Sequence, residues 1–469
     1  MATTSNAGPK ALGKLLRGAR KTLTAWLSRP LASFHLILAV MGLLMVLGLI
    51  MVLSASSTLS VQQGSGAYSY FTKQAVFMGI GLVLFYIGLR TPLSLIRRLS
   101  GIFIGVCALL LVLVLFTPAV NGARGWIRIG GFGVQPVELA KLALALWGAH
   151  VLVLKRNLLH RYRHLLVPLL PVGLVLLALV ALEPDMGSAV SLGIVLLALL
   201  WFVGAPLRLF GGILAGAVVV AGLFAFAAPY RVARVFSFLN PNADPRGAGL
   251  QYNQSLQALA DGGFFGRGLG EGASKWGYLP NIHTDFIFTL IGEELGFLGC
   301  AVVLGLFALL AWAGLRIAAR NTDPWIRLVS AALTVWLVTQ AAINIGYVIG
   351  LLPVTGVTLP LISYGGTSAA VTLAVFGVLA NCARNEPEAV SALRNQGPGT
   401  FGRLLRLPAP EPYKAPPSKR APTRPSTPPR QAQRPPTGPG ANGYRRAHMS
   451  KWEPNRRMPR DERRAGGRR

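Results

Sequence analysis

Acidic residues are scarce in this chain. Aspartate and glutamate number 16 in 469 residues, against 46 lysines and arginines, and charged side chains of both signs reach only 13%. Soluble domains carry about a quarter charged residues, so a large soluble multidomain protein is excluded. Cysteine is nearly absent as well. Cys107, Cys300 and Cys382 lie in or beside apolar runs, with no CxxC and no histidine at ligand spacing. That excludes a disulfide framework and a zinc site and leaves small core residues. A small-residue cleavage site behind a short apolar core is missing from residues 1–30. The first apolar run is therefore an uncleaved span, and its basic flank of Lys10, Lys14, Arg17, Arg20, Lys21 and Arg29 belongs in the cytoplasm. No internal repeat is visible.

What the chain has in abundance is apolar surface: 52% of its residues are hydrophobic and the mean hydropathy is +0.51. Windows able to cross a bilayer occur near 34–54, 75–89, 101–117, 138–154, 165–182, 188–204, 209–228, 286–315, 326–348 and 367–383. They predict an all-α fold, a polytopic membrane helix bundle of about ten transmembrane helices. The formal charge of +30 sits in the N-terminal arm, the loops and above all residues 385–469, so no nucleic-acid partner is expected. Arg90, Arg97 and Arg98, then Lys155, Arg156, Arg161 and Arg163, then Arg208, then Arg316, Arg320 and Arg327 mark every second connection as cytoplasmic. Connections 55–74, 117–137, 183–188, 229–285 and 349–366 then face outward, and both termini are cytoplasmic. Three regions follow: a basic arm, 1–30; a transmembrane domain, 31–384, with a large extracytoplasmic loop at 229–285; and a cytoplasmic Pro/Arg-rich tail, 385–469. The tail cannot bury enough apolar surface to offset its ordering entropy and is expected to be disordered.

The outward loops hold charges close to the membrane plane. Asp285, after Tyr278-Leu279-Pro280-Asn281-Ile282-His283-Thr284, stands where a loop re-enters an apolar helix. Thr284 or Asp285 would cap that helix. A partly desolvated carboxylate at a cavity lip would also titrate high enough to act as a general base. Upstream, Gly266 to Lys275 alternates glycine with other residues and ends on a cation, which suits either a flexible loop or close approach to a ligand. Glu293 and Glu294 lie inside the apolar run and need a partner in the bundle interior, as a structural ion pair would supply. Glu138 and Lys141, three apart after Pro136, suit a mutual pair or an anionic head group. Glu183 and Asp185 flank Pro184 in a tight turn, where turn polarity accounts for them and a divalent cation is the alternative. Arg124, Trp126 and Arg128 offer guanidiniums beside an aromatic, as an interfacial belt or as a grip on a diphosphate. Gly350 to Ser368 is too broken for a plain helix, and irregular backbone at membrane depth must line a cavity or be buried in protein.

Taken in order, these motifs resemble the SEDS family of bacterial shape, elongation, division and sporulation proteins, typified by FtsW and RodA. The resemblance spans Leu31 to Arg384. It rests on Asn121-Gly122-Ala123-Arg124 with Trp126-Ile127; Gln135-Pro136 with Glu138-Leu139-Ala140-Lys141; Glu183-Pro184-Asp185-Met186-Gly187; Gly266 through Lys275; His283-Thr284-Asp285-Phe286; Gly292-Glu293-Glu294-Leu295-Gly296; and Leu352-Pro353 through Gly365-Gly366. Arg29-Pro30-Leu31 running into Val52 to Ser57, with Asn240-Pro241 and Asp244-Pro245, looks more like the division branch, FtsW, than the elongation branch.

The resemblance implies a peptidoglycan glycosyltransferase that polymerises lipid II in the bacterial inner (plasma) membrane, at the division septum, beside a class B penicillin-binding transpeptidase and other division proteins. Asp285 matches the family's essential loop aspartate, Lys275 the lysine closing its glycine-rich loop, and Trp126 the aromatic of its first large outer loop. Gly125 departs from the pattern, since many relatives carry a bulkier, often basic residue there. With Asp285 as catalytic base, Arg124, Trp126, Arg128, Lys141, Lys275 and His283 are the expected substrate contacts, supported by Glu138, Glu183, Asp185, Glu293 and Glu294. The metal is left open, with a divalent cation (Mg2+ or Mn2+) as a candidate helper. A lipid II flippase and a division scaffold are the alternatives. The basic tail would meet anionic lipid or an acidic cytoplasmic partner.

Overall fold

In this computed structural model, residues 25 and 28–411 are described, apart from 63, 65, 120–123, 131, 160, 227–247 and 277–278. The basic arm, most of the tail, the Asn121-Gly122-Ala123 motif, Tyr278, Asn240-Pro241 and Asp244-Pro245 lie outside the described residues.

Uninterrupted apolar runs become helices because a chain in lipid must satisfy its own amides and carbonyls. The order is α1 (Ala32–Gln62), α2 (Ser69–Arg90), α3 (Leu93–Val114), α4 (Pro136–Leu154), α5 (Leu169–Leu182), α6 (Met186–Phe202), α7 (Leu207–Phe226), α8 (Ala248–Gly262), α9 (Ile287–Arg320), α10 (Pro324–Val348), α11 (Gly366–Arg384), α12 (Pro387–Gln396) and α13 (Gly399–Leu404). Seven of these (α1 to α4 and α9 to α11) are long and apolar enough to cross a membrane, and α5, α6 and the first part of α7 are shorter apolar helices. Together they account for the ten windows expected. Among the described residues the bundle is all-α but for one hairpin, in which β1 (Ile127–Ile129) pairs antiparallel with β2 (Phe132–Val134) just before α4.

Helix α11 is the hub, with 94% of its apolar window buried, whereas α3, at 22%, is peripheral. Small residues let α11 and α2 touch backbone to backbone. A Cβ added at Gly377 would stand 2.3 Å from the Phe85 carbonyl oxygen, and one at Gly81 would stand 2.9 Å from the Ala370 Cα. Dispersion across such close contacts is what holds helices together where the hydrophobic effect between them is weak. The three cysteines are free, Cys107 and Cys382 within the core.

Order continues past residue 385, where composition alone predicts that the disordered tail begins. Ala389, Val390, Leu393 and Leu407 are buried, Arg384 donates to the Pro408 carbonyl at 2.8 Å, and Tyr86 donates to the Leu405 carbonyl at 3.2 Å. Four apolar side chains spaced through 389–407 give this stretch a face to bury, which the composition of the whole tail conceals.

Candidate active site

The segment between α10 and α11 is irregular, and the protein supplies its hydrogen bonds. Gln340 donates to the Thr358 carbonyl at 3.0 Å, Asn344 to the Val357 carbonyl at 2.7 Å, and Ser363 Oγ accepts from the Leu359 amide at 2.8 Å. Gln74 of α2 bonds both the Ser363 carbonyl and the Gly365 amide, at 3.3 Å each. Held this way, the segment forms one wall of a cavity of 420 Å³. Trp126, Glu138, Lys141, Asp185 and Asp285 line it, with Gln135, Ser188, Gln340, Thr358, Tyr364 and Ser368 among their neighbours.

Asp285 reaches the cavity from a turn, not from a helix cap. The amides of Thr284, Asp285 and Phe286 converge on the Asn281 carbonyl, and the N-cap of α9 is Phe286, with no side-chain cap bond. The carbonyl of Asp285 accepts from Asn344 and from Tyr347, each at 2.9 Å. Asp285 is among the residues that line the cavity.

Lys141 lies on α4, one turn in from Pro136. Its ammonium bonds Glu138 at 2.9 Å and Gln340 at 3.4 Å and sits 5.0 Å from the Trp336 ring centroid. Both charged residues are buried, so each depends on the other for stabilisation lost with water. Asp185 caps α6, accepting from the Ser188 amide at 2.9 Å and from the Ser188 hydroxyl at 2.6 Å, while Gln135 donates to it at 3.0 Å. Glu183 is fully buried, and among the described residues neither of its carboxylate oxygens has a partner. Burial, with Asp185 nearby, pushes its carboxyl up to about 8.

The other expected residues lie outside this lining. Arg124 and Arg128 are exposed, Arg124 donating to the Leu115 carbonyl at 3.2 Å. His283 packs edge-on against Tyr70 and near Tyr364, at 5.2 and 5.7 Å between centroids, and burial draws its pKa down to about 4. Lys275 is buried away from the cavity, bonded to the Gly270 carbonyl and 3.6 Å from Glu294. Among the described residues, no three His, Cys, Asp or Glu side chains gather as a metal-holding group.

The family profile described as cell cycle protein, which groups FtsW, RodA and SpoVE, matches residues 34–388. The chain belongs to this family. Among FtsW/RodA/SpoVE relatives it resembles FtsW of Mycobacterium tuberculosis, named a probable peptidoglycan glycosyltransferase, with 51% identity over 403 residues, 85% of this chain and 76% of that one. It also resembles stage V sporulation protein E of Bacillus subtilis, at 37% over 355 residues, 74% of this chain and 94% of that one. Of solved structures, it is similar to a chain of a peptidoglycan synthase complex that coordinates polymerization and crosslinking (TM-score 0.60, 32% identity, 72% of this chain and 98% of that one). Thermus thermophilus rod shape determining protein RodA matches with a TM-score of 0.56 and 28% identity, over 75% of this chain and 96% of that one.

In this FtsW/RodA/SpoVE-family chain, the sequence motifs do not point to the two amides that organise the site, Gln340 and Asn344. A signal was present all the same: two amide side chains four apart on one face of a mostly apolar span. At membrane depth an amide without work to do is disfavoured.

Proposed function

We propose that this protein is a glycosyltransferase that polymerises lipid II into peptidoglycan strands, with Asp285 as general base. The observation that carries the reading is that Asp285 shares one cavity with Lys141, Glu138, Trp126 and Asp185, in a chain whose FtsW relatives bear that enzyme name. Asp285 takes the proton from the 4-hydroxyl of the acceptor GlcNAc. The O4–C1 bond to the donor MurNAc forms as the C1–O bond to undecaprenyl diphosphate breaks, and attack opposite the leaving group turns an α linkage into a β one.

The departing diphosphate needs positive charge. Helices α4 and α11 both begin at the cavity, and neither is closed by a side-chain cap. Their first-turn amides and positive dipole ends, with Lys141, suit an anion. Trp126 offers a flat apolar face to a sugar or prenyl chain, and Arg124 and Arg128 serve as outer contacts near the mouth. A lipid-linked donor is consistent with a glycine-rich loop that lacks a Walker ending.

In this reading the cavity faces outward, both termini are cytoplasmic, and the enzyme works at the septum beside a class B transpeptidase. Other division proteins, and an anionic lipid or acidic partner for the basic tail, complete the assembly. Polymerisation of labelled lipid II by the purified protein with that transpeptidase, with moenomycin silencing any contaminating polymerase, tests it. Polymer from wild type and none from folded Asp285→Asn is expected. Full activity in Asp285→Asn would refute the base, and lipid II crossing liposomes without any polymer would favour a flippase.

A further inference from the structure

Helix α9 is broken. At Gly296 the backbone turns to φ 68°, ψ −164°, and the helical ladder lapses. The short arm Ile287–Leu295 carries Asp285 just before its start, and the long arm runs on to Arg320. An unpaired break at this depth is strongly unfavourable, so the orphaned groups must find partners. They find them in the glycine-rich segment after α8. The Glu293 and Glu294 carbonyls accept from the Arg267 and Gly268 amides, both at 3.0 Å. Across the gap, the Phe297 and Leu298 amides donate to the Gly263 and Phe264 carbonyls at 2.9 and 3.3 Å. This approach demands glycine: a Cβ at Gly266 would stand 2.2 Å from the Glu294 carbonyl oxygen, and one at Gly296 would stand 2.3 Å from the Gly266 nitrogen. Both glycines also hold positive φ.

Side chains complete the brace. Glu293 accepts from the Ala273 amide at 2.7 Å and lies 3.9 Å from Arg267. Glu294 approaches the same loop, accepting from Ser54 of α1 at 2.6 Å and pairing with Lys275 at 3.6 Å. Both glutamates are 1% exposed, and neither lines the cavity. Two glycines of the run that suited either a flexible loop or a close approach to a ligand, Gly266 and Gly268, meet the helix break.

We propose that Glu293 and Glu294 are positioning residues for Asp285, fixing the tilt of the short arm of α9 by tying it to the 262–275 loop and to α1. The proposal rests on the reading of Asp285 as general base. The arm is a lever about 13 Å long at 1.5 Å per residue, so a tilt of about 5° about Gly296 moves its tip by roughly 1 Å. A displacement of that size lowers the rate of a well-oriented reaction by up to about a hundredfold.

The experiment is steady-state lipid II polymerisation by the full-length protein with its transpeptidase, comparing Glu293→Gln, Glu294→Gln and Ser54→Ala. Hydrogen exchange over residues 287–298 reports on the brace itself. The expected result for Glu294→Gln is a kcat at least tenfold lower, KM within twofold, an unshifted pH profile of kcat, and faster exchange at Phe297 and Leu298. Wild-type kcat in folded Glu293→Gln and Glu294→Gln overturns the proposal. So does a raised KM with unchanged kcat, which would make the loop a substrate contact instead. If a glutamine variant does not fold, Ser54→Ala decides, because it deletes only the hydroxyl on Glu294: faster exchange with a lowered kcat supports the lever, and a wild-type kcat overturns it. Asp285→Asn is the reference. Activity surviving there defeats the base assignment, whereas a dead Asp285→Asn beside full-rate glutamate variants defeats only the lever.

Discussion

The side-chain amide of Asn344 donates to the backbone carbonyl of Asp285 at 2.9 Å and to that of Val357 at 2.7 Å, joining the turn that carries Asp285 to the facing cavity wall. Tyr347 bonds the same two carbonyls, at 2.9 and 2.7 Å. Asn344→Ala should leave the folded bundle about 1–3 kcal/mol less stable, from poorly satisfied buried carbonyls. It should also lower kcat for polymer formation by tenfold or more. Thermal unfolding in detergent and the lipid II assay check the two effects separately.

Lys141 and Glu138 form a buried pair at 2.9 Å. Lys141→Met leaves the Glu138 carboxylate buried without its cation and is expected to cost about 3–5 kcal/mol. Adding Glu138→Gln should recover most of that stability. Polymerisation should stay lost in the double variant, because the cavity has lost its lysine. A double variant that regains both stability and activity would reduce the pair to a structural role.

The contribution of Glu183 to stability falls as pH rises. Its carboxyl titrates at about 8 in the fold against an ordinary value of 4.5, so between those values the folded chain holds a proton that the unfolded chain has released. The Glu183 contribution to stability is therefore fully present below about pH 4.5 and is lost as pH rises to about 8. Glu183→Gln should flatten that slope, match wild type near pH 5, and exceed it near pH 8 by a few kcal/mol, since each tenfold change in proton affinity is worth about 1.4 kcal/mol. Melting temperatures at the two pH values measure it.

His283 acts in the opposite sense. Its ring titrates at about 4 in the fold against 6.5 unfolded, because burial disfavours the charged form. The unfolded chain binds the proton first, so this contribution is intact above about pH 6.5 and is lost as pH falls toward 4. His283→Phe keeps the ring packing on Tyr70 and should remove this part of the acid sensitivity. An unchanged acid limb of the stability profile would count against a half-buried neutral histidine.

Most of the architecture was legible from the chain itself. Each span is written in a contiguous apolar run, because the bilayer acts on every segment locally. The broken stretch 350–368 was legible for the same reason. The site was legible in part: Asp285, Glu138, Lys141, Trp126 and Asp185 stood out as polar groups in costly places, and they share one cavity. Lys275 stood out equally and lies elsewhere, because a loop lysine reads the same whether it faces a ligand or a buried glutamate.

By itself, then, the sequence determined which segments are helices and which polar residues demand an explanation, since both follow from local hydropathy. Which of those residues meet was decided only by tertiary packing. Helix α10 brings Asn344 under Asp285, and the glycines at 266 and 296 let two backbones close around a break in α9. Contacts between residues tens of positions apart leave no local pattern in the chain, so only the packed bundle could separate the cavity's charges from those that brace it.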